Sequence, residues 1–167
     1  MGIEIERKYL LLNNDWRTLG IPVHYAQGYL VADSVRTVRV RIAGSNGFLT
    51  IKGASVGFSR KEFEYAIPVE EAAEMLQLCA LPVIEKYRTK ILFEGKIWEV
   101  DEFKGQNDGL VVAEIELNSE DETFSVPSWI GQEVTGDVRY FNSFLARNPY
   151  KNWQIERRLS PINKTNK

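Results

Sequence analysis

The chain has 167 residues, 44% of them hydrophobic, with 23 acidic and 21 basic side chains and a formal net charge of −2. That length fits one domain with a real core, and the near-balance of charge argues against a strongly basic nucleic-acid binder. A single cysteine, Cys79, and a single histidine, His24, exclude an internal disulfide framework and a Cys-based zinc cluster. They also argue against His-rich metal sites and Ser-His-Asp chemistry.

The chain opens Met-Gly-Ile-Glu-Ile-Glu-Arg-Lys, without an apolar signal-peptide core. No apolar window is long enough to span a bilayer, so a cytoplasmic protein with no membrane partner is expected. Residues 3–11 alternate and then turn apolar, which predicts a strand. Residues 35–42 place Val38, Val40 and Ile42 on one face and Thr37, Arg39 and Arg41 on the other. Asn46-Gly47 turns the chain into 48–52, so 35–52 reads as a hairpin. Residues 60–67 set Phe63, Tyr65 and Ile67 against Glu62 and Glu64. Pro68 precedes a helix over 69–80, with Glu70 and Glu71 in its first turn, where the helix dipole favours them. Ala72, Met75, Leu76 and Cys79 form its apolar stripe.

Residues 84–93 set Tyr87, Ile91 and Phe93 against Lys86, Arg88 and Lys90. Glu94-Gly95 turns into 97–103, which carries Glu99 and Asp101 in phase. After a polar loop at 104–109, residues 110–117 carry Glu114 and Glu116 in phase. Asp137 reads as the N-cap of a last helix over 138–147, with Tyr140, Phe141, Phe144 and Leu145 as its apolar stripe. Residues 1–152 read as one domain and 153–167 as an appended tail, with Arg157 and Arg158 solvated. His24 reads as a surface residue. Trp129 and Trp153 read as packing residues.

For a single strand, charges on one face need only a wet sheet surface. Taken together, the strands need more. Polar positions at their centres are nearly all charged, and signs cluster by strand, as in Glu4 and Glu6, Arg39 and Arg41, Glu114 and Glu116. Like charges two apart on a strand stand about 6.5 Å from each other, a costly arrangement without counter-charges or a multivalent ligand. A sheet curled around this face gathers the charges into a cavity and turns the apolar faces outward, under helices and loops. Carboxylates two apart can hold a hard cation such as Mg²⁺ or Mn²⁺. Arg and Lys supply donors for phosphate oxygens. A metal-bound polyphosphate therefore fits best. Neither G-x-x-x-x-G-K-[ST] nor G-x-G-x-x-G is present.

Glu4-Ile5-Glu6-Arg7-Lys8 resembles the ExExK signature of the CYTH superfamily, the triphosphate tunnel metalloenzymes. Further matches follow in family order: Gln27-Gly28-Tyr29-Leu30, Arg39-Val40-Arg41, Thr50-Ile51-Lys52, Arg60-Lys61-Glu62-Phe63-Glu64, Glu85-Lys86-Tyr87-Arg88, Glu99-Val100-Asp101 and Glu114-Ile115-Glu116. A last stretch holds Trp129, Gly131, Glu133-Val134-Thr135, Asp137 and Arg139-Tyr140. The likeness covers residues 1–150 and is to the short, single-domain bacterial type.

The resemblance implies an α+β fold, an antiparallel β-barrel of about eight strands with a charged lumen and a few helices packed outside. It implies Mg²⁺ or Mn²⁺ held by Glu4, Glu6, Glu114 and Glu116. It implies a triphosphate clamp of Lys8, Arg39, Arg41, Lys52, Lys86 and Arg88. Catalytic roles fall to Lys8, Asp101 and Lys86. Asp101 would be a tunnel acid near the metal or the attacking water. The general base would be a tunnel carboxylate or Lys8 with a depressed pKa. Glu62, Glu64, Glu99 and Arg139 are wall charges or ligand contacts, and Arg7, out of phase, falls outside the tunnel. The activity implied is metal-dependent hydrolysis of inorganic triphosphate (tripolyphosphate) to diphosphate and phosphate. The alternatives are an adenylate cyclase, an ATP or thiamine triphosphate hydrolase, or a non-catalytic polyphosphate- or nucleotide-binding module. The partner implied is a small-molecule triphosphate. Dimers being the commonest assemblies, a homodimer is the default oligomer.

Overall fold

The computed structural model of the protein describes residues 2–153. The strands are β1 (Gly2–Leu11), β2 (Pro22–Ala32), β3 (Arg36–Ala43), β4 (Asn46–Gly53), β5 (Ser59–Ile67), β6 (Ile84–Phe93), β7 (Lys96–Phe103), β8 (Val111–Glu116) and β9 (Ile130–Glu133). Helix α1 (Val69–Gln77) follows β5, and α2 (Asn142–Arg147) follows β9. Neighbouring strands pair antiparallel in the order β5-β4-β3-β2-β6-β7-β8-β1, and β1 returns to β5 to close an eight-stranded barrel. Strand β9 is added outside the eight, against β1. No helix among the described residues is long and apolar enough to cross a membrane.

Strand β1 changes partners along its length. Gly2–Ile5 pair with β5, whereas Tyr9 and Leu11 pair with β9. Between them, Lys8 takes its backbone partners from the segment at the end of β9. Its N–H donates to Thr135 Oγ1 at 2.9 Å, and its carbonyl accepts from Val134 N–H at 2.8 Å. A buried backbone that leaves one strand before meeting the next needs such substitutes.

The alternation of apolar and charged residues fixes the inside and outside of the barrel. On the outer face of β1, β6, β7 and β8, Tyr9, Ile91, Trp98, Val100, Ala113 and Ile115 are buried under Trp16, Trp129 and Ile130. Trp98 is completely buried and meets Phe124 and Trp129 edge to face. Helix α1 covers β2, β3 and β4. Two glycines let it approach: a Cβ on Gly28 would stand 2.7 Å from Cys79 Sγ, and one on Gly47 would stand 3.0 Å from Ala72 Cβ. The helix ends at Gln77 rather than at residue 80. Pro82 disfavours a helical conformation at Leu81, so the chain turns out earlier.

A second apolar cluster lies at one end of the barrel, inside it. Tyr29, Ile84, Phe103 and Val112 are in lumen phase on their strands, and pack with Tyr140, Leu145 and Trp153. The last helix expected over 138–147 is broken to make this plug. A 3₁₀ turn (Val138–Tyr140) is capped by Asp137, whose side chain accepts from Arg139 N–H. Phe141 is then extended, with φ −72° and ψ 134°, before α2 begins. Trp153, the first residue expected in the tail, is buried against Tyr140 and Tyr150. Arg157, Arg158 and the rest of the expected tail lie outside the described residues.

Candidate functional site

Above this plug the lumen opens into a cavity of about 250 Å³. Its wall carries eight cations (Lys8, Arg39, Arg41, Lys52, Arg60, Lys86, Arg88, Lys90) and seven carboxylates (Glu4, Glu6, Glu62, Glu64, Glu99, Glu114, Glu116). Each strand presents alternate residues inward, so the period-two pattern is what delivers these groups to one space. Phe141, Asn142 and Ser143 enter from the segment that breaks the last helix.

Six of these cations are held by named partners. Lys86 Nζ lies 2.7 Å from Asp101 Oδ2 and donates to Asn142 Oδ1 at 3.1 Å. Arg88 forks onto Asp101 through Nε and Nη2, at 2.7 and 2.8 Å, and reaches Glu99 through Nη1 at 2.8 Å. Lys8 Nζ donates to the Tyr140 carbonyl at 3.0 Å and stands 3.3 Å from Glu114. Arg41 meets Glu64 at 2.9 Å, and Arg39 donates to Thr50 Oγ1 at 3.2 Å. Lys52 lies 2.7 Å from Glu4 Oε2. Tyr25 stands between two guanidiniums, 5.2 Å from Arg41 and 5.1 Å from Arg88, in cation–π contact with both. The Nε donors of Arg39 and Arg41 are buried and have no acceptor among the described residues. Unpaired buried donors of this kind are costly unless an anion reaches them.

Protonation follows from these contacts. Burial would raise the Asp101 carboxyl, but Arg88 and Lys86 hold it below the ordinary carboxylate range. Burial and the like charge of Arg88 outweigh Asp101 for Lys86, whose pKa is lowered to about 8. Burial also works against charge on Lys8, yet Glu114 and Glu6 more than offset it, so its pKa is raised. The depression expected for Lys8 is therefore absent, and Lys86 is the lysine that shows one. Lys8 has Glu114 and Glu6 beside it with no opposing cation among its main influences, whereas Lys86 shares Asp101 with Arg88 and feels that like charge.

Glu6 and Glu116 stand directly opposite each other across β1 and β8. Among the described residues, neither has a cation within ion-pair distance. Burial, then Glu114 and Glu4, push the Glu6 carboxyl up to about 8. Burial, then Glu4 and Glu99, raise Glu116 as well. Glu4 and Glu114 are engaged with Lys52 and Lys8. Glu114 is held well below the ordinary range, because Lys8, Arg88 and Lys86 outweigh its burial. Glu4 Oε2 has no well-directed hydrogen bond despite its nearness to Lys52. Among the described residues, no three acidic side chains are gathered into a ready-made metal cage. The donor set nevertheless fits a hard divalent cation. It is all oxygen, and its two open carboxylates repel each other in a way that a cation relieves.

Asp101 does not line the cavity; it lies behind Lys86 and Arg88 with both oxygens taken. Exposed Arg139 is outside the lumen, paired with half-buried Asp137 and stacked on Tyr140 and Trp153. Arg7 is outside too, forked onto Glu133 between Phe58 and Phe124. His24, half-exposed, lies 3.6 Å from Glu85 and edge-on to Tyr87. Sequence reasoning gave no cavity role to Tyr25, Tyr29, Arg60 or Lys90. Arg60 and Lys90 share the phase of the charges beside them, a signal that could have found them. The tyrosines carry no charge to mark their phase.

An antiparallel barrel with this lumen is a charged β-tunnel, a scaffold for holding a polyanion against a cation. The chain belongs to the CYTH domain family, whose profile matches residues 2–143. A relative from Acetivibrio thermocellus, an inorganic triphosphatase, is 55% identical over 155 residues, spanning 92% of this chain and 99% of the relative. An inorganic triphosphatase from Nitrosomonas europaea is 37% identical over 149 residues, spanning 86% of this chain and 96% of its own. A crystal structure of an inorganic triphosphatase superposes with a TM-score of 0.60 at 34% identity, covering 87% of this chain and 95% of that one. A putative adenylate cyclase from Bacillus halodurans, at 18% identity and a TM-score of 0.54, shares the fold.

Proposed function

We propose that the protein hydrolyses inorganic triphosphate to diphosphate and phosphate, with a divalent cation, inside the tunnel. The observation that carries this reading is the pairing of an open carboxylate couple, Glu6 and Glu116, with buried guanidinium donors that lack acceptors, in one cavity. The kinship with two inorganic triphosphatases supports the substrate class. The cavity lies below the usual ligand-pocket range of roughly 300–1,000 Å³, which favours a small anion.

In this reading Arg39, Arg41, Lys52 and Arg88 bind the phosphate chain and orient it, with Arg60 and Lys90 as further cations of the wall. Lys52 and Lys8 exchange their carboxylate partners for phosphate oxygens on binding. That exchange frees Glu4 and Glu114 to join Glu6 and Glu116 as oxygen ligands. A bound Mg²⁺ or Mn²⁺ supplies charge neutralisation at phosphate oxygens and lowers the pKa of water. Lys86 is suited to hand a proton from Nζ to the departing diphosphate oxygen, because its lowered pKa lies near neutrality. Asp101 positions Lys86 and Arg88 rather than meeting water. The clamp stabilises the charge that spreads over the transferring phosphoryl group.

The test is phosphate release from tripolyphosphate with Mg²⁺, with Mn²⁺ and with a chelator. Equal yields of phosphate and diphosphate are expected with metal and none with chelator. Tight binding without release under any condition would leave a binding module instead.

A second reading, an organic triphosphate, is favoured by one feature. A cleft of about 230 Å³ lined by Phe58, Val138 and Phe141 opens beside Glu4, Glu6, Lys8 and Arg60. Parallel assays on ATP and thiamine triphosphate, with cyclic AMP also scored, decide between the two.

A further inference from the structure

Of the eight strands that close the barrel, β2 alone turns no charged side chain into the lumen. Its inward positions are Tyr25, Gln27 and Tyr29. Tyr29 is more than nine-tenths buried, and its ring belongs to the apolar plug, against residues such as Ile84 and Leu145. Yet it also lines the cavity. It pairs across the sheet with Arg39 of the clamp. The cations whose charges act on its hydroxyl are Arg39, Arg60 and Lys8. Fully buried Gln27 donates from Nε2 to the Tyr29 oxygen at 3.3 Å. That bond occupies a lone pair and turns the phenolic proton away from Gln27. Among the described residues that proton forms no hydrogen bond, and Gln27 Oε1, buried beside it, is without a partner as well. A hydroxyl so placed, held by its ring, lining the cavity and ringed by cations, is positioned to give its proton to an anion that enters.

We propose that Tyr29 contacts the substrate, its hydroxyl donating a hydrogen bond to a phosphate oxygen of the bound triphosphate beside Lys8, Arg39 and Arg60. The proposal rests on the triphosphatase reading and adds to the clamp a donor without charge. Such a donor gives direction to the bound chain without adding to the attraction that retains the diphosphate product. The apolar ring explains why tyrosine stands here rather than serine, since the plug would lose its packing with a smaller side chain.

The experiment compares wild type with Tyr29→Phe in the full chain. Tripolyphosphate binding is measured by calorimetry in the presence of chelator, and turnover with Mg²⁺. Phenylalanine keeps the ring and removes only the hydroxyl. Hydrogen bonds to charged groups make the expected loss about tenfold to a hundredfold in Kd or kcat/KM, with an unchanged circular-dichroism spectrum. Replacing Tyr29 with 4-aminophenylalanine, which restores a neutral donor, should recover a substantial part of that loss. This second variant keeps the test decisive if Tyr29→Phe folds poorly. Affinity and turnover within twofold of wild type in Tyr29→Phe would overturn the proposal. So would 4-aminophenylalanine doing no better than phenylalanine. Wild type that neither binds nor cleaves tripolyphosphate would instead overturn the functional reading on which the proposal stands.

Discussion

The backbone N–H of Lys8 donates to the side-chain hydroxyl of Thr135 at 2.9 Å, in the stretch of β1 that has left β5 and is only entering β9. The same hydroxyl donates to Glu133 Oε1 at 2.8 Å, and Glu133 is forked by Arg7. A residue on the outer wall thus fixes the backbone from which a clamp lysine projects inward. Thr135→Val keeps the shape and removes the oxygen, leaving a part-buried N–H without an acceptor. A stability loss of about 1–3 kcal/mol is expected, read as a shift in the urea midpoint. Because Lys8 would be displaced, kcat should fall by about tenfold to a hundredfold, and Thr135→Ser should restore it.

Asp101 holds two buried cations and touches no open space. Asp101→Asn leaves Lys86 and Arg88 sharing a neutral partner. Removing one member of a buried ion group costs about 3–5 kcal/mol. Chemical denaturation should show a loss of that size together with weaker substrate binding. A variant with wild-type stability and lost turnover would instead make Asp101 a group that acts on water.

The tunnel was legible because charge and phase coincide. Glu4, Glu6, Lys8, Arg39, Arg41, Lys52, Glu114 and Glu116 alternate with neighbours that, Arg7 apart, are mostly apolar, and all of them line the cavity. Strand β2 was not legible, because Tyr25, Gln27 and Tyr29 alternate with His24, Ala26 and Gly28, a pattern with no contrast. Strand β9 is only four residues long and exists by pairing with β1. The place of Asp101 behind the cavity wall was not legible for a different reason. Its lumen phase could be counted, but whether its oxygens are free depends on where the Lys86 and Arg88 side chains end. The break at Phe141 escaped too, since an apolar helical stripe looks the same when one of its residues is extended to close a barrel end.

Among the described residues, Arg39 carries a buried Nε with no acceptor, hydrogen-bonds through its side chain to Thr50 alone, and stands 3.9 Å from Glu64. Its guanidinium is thus the clamp group least committed to the protein itself. Arg39→Ala should raise KM for tripolyphosphate by about tenfold to a hundredfold, the worth of a charge-assisted bond, with a smaller change in kcat. An unchanged KM in steady-state assays would remove Arg39 from the clamp.

The sharpest pH dependence belongs to Glu6. Its pKa in the folded protein is about 8, above the ordinary value of 4.5. Between those values the folded protein keeps a proton that the unfolded chain has released. Stability from this source is therefore fully present below about pH 4.5 and is lost as pH rises through about 8. Glu116, raised for similar reasons, adds in the same direction. Lys86 acts oppositely, but only between its lowered value of about 8 and its ordinary 10.5, so the window to scan is pH 5 to 8. Without metal, the melting temperature should fall across that window, and Glu6→Gln should flatten the fall. Mg²⁺ competes with the proton, so its affinity should tighten as pH rises through the same window. Calorimetric titrations at pH 6 and pH 8 read this directly. Equal Mg²⁺ affinity at the two pH values would remove Glu6 from the ion's ligands, and with it the open couple on which the metal site is built.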